Sequence, residues 1–303
     1  MSVTGTVGAV GTAGTLGAAS VASASHRYIV KDLVSGYGRT AIVKGISLEV
    51  PDGMISVIIG ANACGKSTLL KTMARLIRPM DGAVMLDGTQ VDRLPTRRLA
   101  CVLGLLPQAP IAPEGIAVAD LVGRGRFPHQ GLLRGWGKED EEAVAEALEM
   151  MGIVDLADRS LDELSGGQRQ RVWVAMALAQ RTDILLLDEP TTFLDITHQV
   201  EILDLLTDLN RTRQTTIVMV LHDINLAARY ADHVFAMRDG ALVAQGAPAE
   251  VITEESIREV FALESQVLSD PLSASPVVLP KSRHHLPIAG DDANPSSRRG
   301  TSL

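Results

Sequence analysis

The sequence predicts an α/β fold built on a parallel sheet, and three observations carry that prediction. An apolar run over residues 54–59 leads directly into the glycine-rich loop Gly60-Ala61-Asn62-Ala63-Cys64-Gly65-Lys66-Ser67, after which Ser67-Thr68-Leu69-Leu70-Lys71-Thr72-Met73 opens a helix. Strand, glycine loop and helix in that order form the phosphate-binding unit of α/β proteins. The runs 184–187 and 216–221 are too continuously apolar for half-exposed strands and read as buried parallel strands. They end in Asp188-Glu189 and His222-Asp223, polar pairs at the strand end where open α/β sheets bind their ligands.

Taken in chain order, residues 28–59 alternate apolar stretches with Gly-containing turns at 35–38 and 51–53. This predicts short antiparallel strands ahead of the loop strand, with Tyr37 in the second of them. The loop fits G-x-x-x-x-G-K-S/T. Its backbone N–H groups wrap phosphates, Lys66 reaches the outer phosphates and the Ser67 hydroxyl ligates Mg²⁺. Residues 102–108 read as a strand ending in Gln108, and residues 109–164 as an inserted helical segment. Within that segment, 139–151 place Val144, Leu148 and Met151 at helical spacing behind an acidic first turn, a stripe suited to core packing. Leu164-Ser165-Gly166-Gly167-Gln168 is a second anion site. Ser165 stands where an N-cap belongs, Gly166 and Gly167 let backbone approach a ligand, and Gln168 opens a helix whose positive end faces an anion. One glycine loop already surrounds its own phosphates, so this second loop reads as closing over a nucleotide held by another copy. Asp188 is placed to hold Mg²⁺, and Glu189 to orient and deprotonate an attacking water.

Composition narrows the function. With 303 residues, 46% hydrophobic and 21% charged, the chain suits one substantial α/β domain with inserts. Its net charge of -8 argues against a general nucleic-acid binder, which needs a basic excess. The longest apolar runs fall far below the roughly 20 residues of a spanning helix, so membrane attachment is expected through a partner. The two cysteines, Cys64 and Cys101, fit a reducing cytoplasm, since a disulfide at Cys64 would obstruct the loop. Cys64 stands at a helix N-terminus, which favours a lowered thiol pKa, but it reads as a small packing residue without a catalytic role. Residues 1–25 carry no charge and are expected to be a disordered extension. The stretch 267–303 turns Pro/Ser-rich and reads as a disordered, solvated tail, with His284-His285 as surface residues rather than metal ligands.

The ordered set of motifs resembles the ATPases of ABC transporters over residues 27–266. The resemblance implies a P-loop NTPase fold with a RecA-like parallel-sheet core, an N-terminal antiparallel β subdomain and the helical subdomain at about 109–164, all within a domain of residues 26–266. It implies ATP and Mg²⁺ as cofactors. Tyr37 would stack on adenine, and residues Gly60 to Thr68, Ser165 to Gln168 and Asp195 would contact nucleotide, Asp195 from a loop crossing to the other subunit. Lys66, Gln108, Glu189 and His222 would form the catalytic set, His222 sensing the γ-phosphate, and Ser67, Gln108 and Asp188 would hold the metal. Ala61 and Ala63 depart from the family's usual G-P-N-G-C/S-G-K-S; a positive φ at residue 63 would then cost of order 1 kcal/mol.

Residues 123–131, leading to Trp136 and Lys138-Glu139-Asp140, together with residues 189–200, resemble the ferric-siderophore importer subfamily. That implies a homodimer at the cytoplasmic face of the membrane, beneath two integral permease subunits and served indirectly by a substrate-binding protein, with no nucleic-acid partner. Arg124, Arg126, Phe127 and Trp136 are expected to be exposed anchors for the permease. Haem or cobalamin import is the alternative within this class. A non-transport ABC ATPase usually carries a coiled-coil insert or a second cassette, neither of which appears, and a P-loop kinase would lack residues 164–168 and His222.

Overall fold

The computed structural model describes residues 23–131, 135–192 and 194–281. Strands β1 (Tyr28–Tyr37), β2 (Thr40–Val50) and β3 (Ile55–Gly60) come first, then α1 (Lys66–Met73), β4 (Asp81–Leu86), β5 (Thr89–Gln90), α2 (Thr96–Val102) and β6 (Leu103–Leu106). The helical insert follows with α3 (Val118–Gly123), a 3₁₀ turn at Arg124–His129, α4 (Lys138–Met150) and α5 (Gly166–Ala179). Then β7 (Ile184–Asp188), α6 (Ile196–Arg213), β8 (Thr216–Val220), α7 (Ile224–Tyr230), β9 (His233–Arg238) and β10 (Ala241–Gly246) complete the central sheet. The chain ends in α8 (Pro248–Val251), α9 (Glu254–Phe261), β11 (Ser265–Ser269) and β12 (Pro276–Pro280).

The central sheet has the order β10-β9-β3-β8-β7-β6, parallel except for β10. Alternate side chains of its strands serve two cores. Ile55, Val57 and Ile59 of β3 with Leu185 and Leu187 of β7 join the core built with α3 to α7, whereas Ile58, Ile184 and Leu186 face α1 and the antiparallel sheet. That second sheet has the order β2-β1-β4-β5. Burial on both faces accounts for the unbroken apolar runs of β7 and β8, which belong to a parallel sheet covered on each side.

Several boundaries differ from expectation. β1 and β2 run to 10 and 11 residues rather than being short, because residues 35–36 stay within β1 and absorb a register shift instead of turning. Tyr37 therefore ends β1 and does not lie in the second strand. The expected tail from 267 begins inside a β11–β12 hairpin, and Val278, buried, joins the core with α7. Residues 23–26 are tied to the core rather than loose: Ser23 N–H donates to Arg213 O and Ala24 N–H to Asp183 Oδ1. His284 and His285 lie outside the described residues. Among the described residues no helix is long and apolar enough to cross a membrane.

Candidate nucleotide site

The C-terminal edge of the parallel strands gathers the chemistry. β3 runs into the glycine loop, β6 is followed by Pro107-Gln108, β7 by Glu189 and β8 by Leu221-His222. The loop closes tightly on the next strand over. A Cβ at Gly60 would lie 2.3 Å from Met237 O of β9, so that position takes glycine alone. From behind, Gly240 N–H of the β9–β10 turn donates to Cys64 O at 2.9 Å. α1 begins at Lys66 without a side-chain cap, which leaves its first N–H groups open to an anion. Lys66 Nζ donates to Gly60 O at 2.8 Å and Ala61 O at 3.0 Å, which folds its charge over the loop.

Ala63 adopts φ 61°, the left-handed region an L-residue enters only with strain of order 1 kcal/mol. Asn62 and Ala63 are exposed, and Thr68 is buried beneath the loop. The Cys64 thiol differs from expectation: burial pushes it up despite Lys66 nearby, so it is a packing group and not a reactive thiolate.

Ser67 Oγ donates to Asp188 Oδ1 at 2.8 Å, while Asp188 Oδ2 is buried with no hydrogen-bond partner. Burial raises the Asp188 carboxyl, with the Ser67 hydrogen bond only partly opposing it. A buried carboxylate oxygen without a partner beside a hydroxyl is a donor set suited to a hard cation. Among the described residues no group of three or more His, Cys, Asp and Glu side chains is arranged to hold a metal alone. That suits Mg²⁺, which takes one or two protein oxygens and completes its shell with phosphate and water.

Glu189, buried and at φ 57°, is held by three segments. Gln108 Nε2 donates to its Oε2 at 2.7 Å and Thr192 Oγ1 to the same oxygen at 3.2 Å; His222 Nε2 stands 2.7 Å from Oε1. Gln108, Glu189 and His222 are thus one cluster, and Thr192 is a member the sequence reading missed. Its only signal was its place three residues after an acid at a strand end.

The second anion loop lies apart from the first in this chain. Ser165 and Gln168 form a reciprocal capping box, Gln168 N–H donating to Ser165 Oγ at 3.2 Å and Ser165 N–H to Gln168 Oε1 at 3.1 Å. Ser165 and Gly166 are exposed, and no hydrogen bond joins residues 164–168 to the glycine loop among the described residues. Asp195 caps α6, accepting from His198 N–H, and these bonds hold its exposed carboxyl below the usual range. Tyr37, at 56% exposure, presents its ring to solvent at the end of β1.

The expected exposed anchors divide. Phe127 and Trp136 are 60% and 49% exposed, the Trp136 ring lying over Gly123. Arg126 is instead 1% exposed: its Nε donates to Asp140 Oδ1 at 2.9 Å and its Nη1 to Ala179 O at 2.9 Å at the end of α5. It is an internal strut, because the last carbonyls of α5 need donors and the 3₁₀ turn aims a guanidinium at them.

Comparison with known proteins gives a consistent picture. Residues 43–192 match the family model described as ABC transporter. A probable siderophore transport system ATP-binding protein of Bacillus subtilis (strain 168) is 54% identical over 248 residues, 82% of this chain and 90% of that one. A ferric enterobactin transport ATP-binding protein of Escherichia coli (strain K12) is 50% identical over 253 residues, 84% and 93% of the two chains. Among solved structures, the dimeric structure of a bacterial ABC transporter cassette superposes with a TM-score of 0.66 at 29% identity, covering 73% of this chain and 98% of that one.

Proposed function

The chain belongs to the ABC transporter family as an ATP-hydrolysing, ATP-binding subunit, and from that premise we propose that it energises import of a ferric-siderophore complex. The observation that carries the chemistry is the Gln108–Glu189–His222 cluster beside the Ser67–Asp188 hydrogen bond. The cargo reading rests on identities of 54% and 50% to siderophore-transport ATPases along nearly their whole length.

In this reading the amides of residues 60–67 and Lys66 bind the outer phosphates, and Tyr37 stacks on adenine. Ser67, Asp188 and the Gln108 carbonyl would hold Mg²⁺, which when bound would supply positive charge beside the phosphates. Glu189 takes the proton of the attacking water, and His222 steadies both Glu189 and the γ-phosphate. Ser165 with the N–H groups of Gly166 and Gly167, in a turn capped by Gln168, would complete the phosphate shell of a second copy, to which Asp195 would also reach. That arrangement is supported by the exposed capping box and by the dimeric relative. Two copies would work at the cytoplasmic face beneath two permease subunits, supplied by a substrate-binding protein.

One experiment tests chemistry and cargo together. A strain lacking this chain is complemented with the wild type or with Glu189→Gln and grown on a ferric siderophore as sole iron source, while ATP turnover is measured on the purified proteins. Wild type should restore growth, and Glu189→Gln should fail, with turnover lowered by about 10²–10⁴-fold and ATP affinity kept. Full growth with Glu189→Gln would sink the reading.

A further inference from the structure

The Asn225 side chain hydrogen-bonds the C-terminal hairpin to the helix that follows the catalytic edge. After β8 the chain passes through His222, 2.7 Å from Glu189, then Asp223, which caps α7 by accepting from Asn225 N–H and Leu226 N–H. Asn225 therefore stands in the first turn of α7, three residues from His222. Its carboxamide pairs with the backbone of Val278 in β12 in both directions. Val278 N–H donates to Asn225 Oδ1 at 2.8 Å, and Asn225 Nδ2 donates to Val278 O at 3.4 Å.

The hairpin is built to be held this way. Val267 and Val278 stand opposite each other in the β11–β12 ladder, and Val267 N–H donates to Glu254 Oε1 of α9 at 3.3 Å. Opposite residues of an antiparallel pair turn their backbone groups either both inward or both outward. Here both turn outward, and a side chain takes each edge: Glu254 from α9, Asn225 from α7. Asn225 does for β12 what a third strand would do. The residue is exposed and leaves N-capping to Asp223, so neither packing nor capping accounts for an amide at this place.

We propose that Asn225 is a positioning residue for His222, fixing the His222-Asp223 turn against β12, so that the hairpin of residues 265–280 is part of the hydrolytic apparatus. This rests on the ATPase reading above and on the role of His222 in it. The turn is fixed on one side by β8 in the sheet and on the other by α7, which packs into the core through Ala227 and Ala228 and whose first turn this amide pair ties to β12. Releasing one anchor lets His222 drift from Glu189, and misplacement of a catalytic group by about 1 Å costs up to about 100-fold in rate.

The test compares steady-state ATP hydrolysis of the full chain with its Asn225→Leu, Asn225→Asp, His222→Ala and His222→Ala/Asn225→Leu variants, with melting temperatures recorded for each. Asn225→Leu, close in size but unable to pair with Val278, should lower kcat by about tenfold with the KM for ATP within about twofold. Asn225→Asp keeps the acceptor for Val278 N–H and should recover most of the rate. The double variant should be no slower than His222→Ala alone, because the two act through one group. Wild-type kcat in Asn225→Leu, or an additive loss in the double variant, would overturn the proposal while leaving the ATPase reading intact. Unchanged kcat in His222→Ala would instead overturn the role of His222 and this inference with it.

Discussion

Asp188 carries opposite demands in one side chain. Its carboxyl is almost wholly buried and its Oδ2 has no partner, so burial raises it. A carboxyl raised in the folded state favours the protonated form: stability is greatest below its unfolded value and falls as pH rises through the folded one. At neutral pH with a chelator present, the ionised group therefore destabilises the fold. Asp188→Asn should then melt at or above the wild-type temperature while its Mg²⁺-dependent hydrolysis falls by at least about 100-fold. A clearly lower melting temperature would show that the carboxylate is already compensated. Ala63 shows a milder version of the same conflict, since a strained backbone stays where the loop geometry requires it.

At the scale of elements, α5 carries the second anion loop at one end and ties into the helical insert at the other. Its N-terminus carries the exposed capping box and its C-terminal carbonyls are held by Arg126, itself paired with Asp140 of α4. Arg126→Ala removes the guanidinium that pairs with buried Asp140 and caps the Ala179 carbonyl, so it should cost about 3–5 kcal/mol in denaturant unfolding. A loss under about 1 kcal/mol would mean that water replaces the contact. Arg126 also marks where sequence stops being informative. The glycine loop, the strands ending in Asp188 and His222, and the α4 stripe were legible because each is encoded within about ten consecutive residues. An arginine in a Gly- and Pro-rich stretch reads as exposed, and only the fold brings it to Asp140 and to the carbonyl of Ala179. The same holds for Thr192 on Glu189. It holds too for the hairpin, whose composition resembles a tail but which is held by Val278 in the core and by the side chains of Asn225 and Glu254.

Across the whole molecule, the two ends of the central sheet do different work. At the N-terminal end, His26 joins the two sheets, Nδ1 2.7 Å from Asp87 Oδ2 beside β4 and Nε2 3.2 Å from Asp183 Oδ2 ahead of β7, with its N–H donating to Asp52. Burial alone would lower the imidazole, but the hydrogen bonds to Asp87 and Asp183 outweigh it, and the net shift is upward from 6.5. A histidine raised in the fold stabilises fully below its unfolded value and less as pH rises through its folded one. The stability difference between wild type and His26→Ala should therefore shrink as pH rises above 6.5; a constant difference would mean that the clasp does not titrate there. At the C-terminal end, completion by a second copy is testable by mixing Lys66→Ala with Ser165→Arg. In an equal mixture about half the dimers are mixed and hold one intact composite site. Nucleotide-trapped dimer should appear in the mixture and in neither variant alone, and its absence from proven mixed dimers would argue for a self-contained site.

The three donors on Glu189 bear on how a lone subunit behaves between transport cycles. Gln108 and Thr192 donate to one carboxylate oxygen and His222 meets the other, so both oxygens are already engaged before a stray water arrives. Under the assignment proposed above, the base is disengaged like a clutch until assembly and phosphate draw these donors elsewhere. Unassembled copies would then idle without draining the ATP pool, and fuel consumption would follow the number of working transporters rather than the number of chains made.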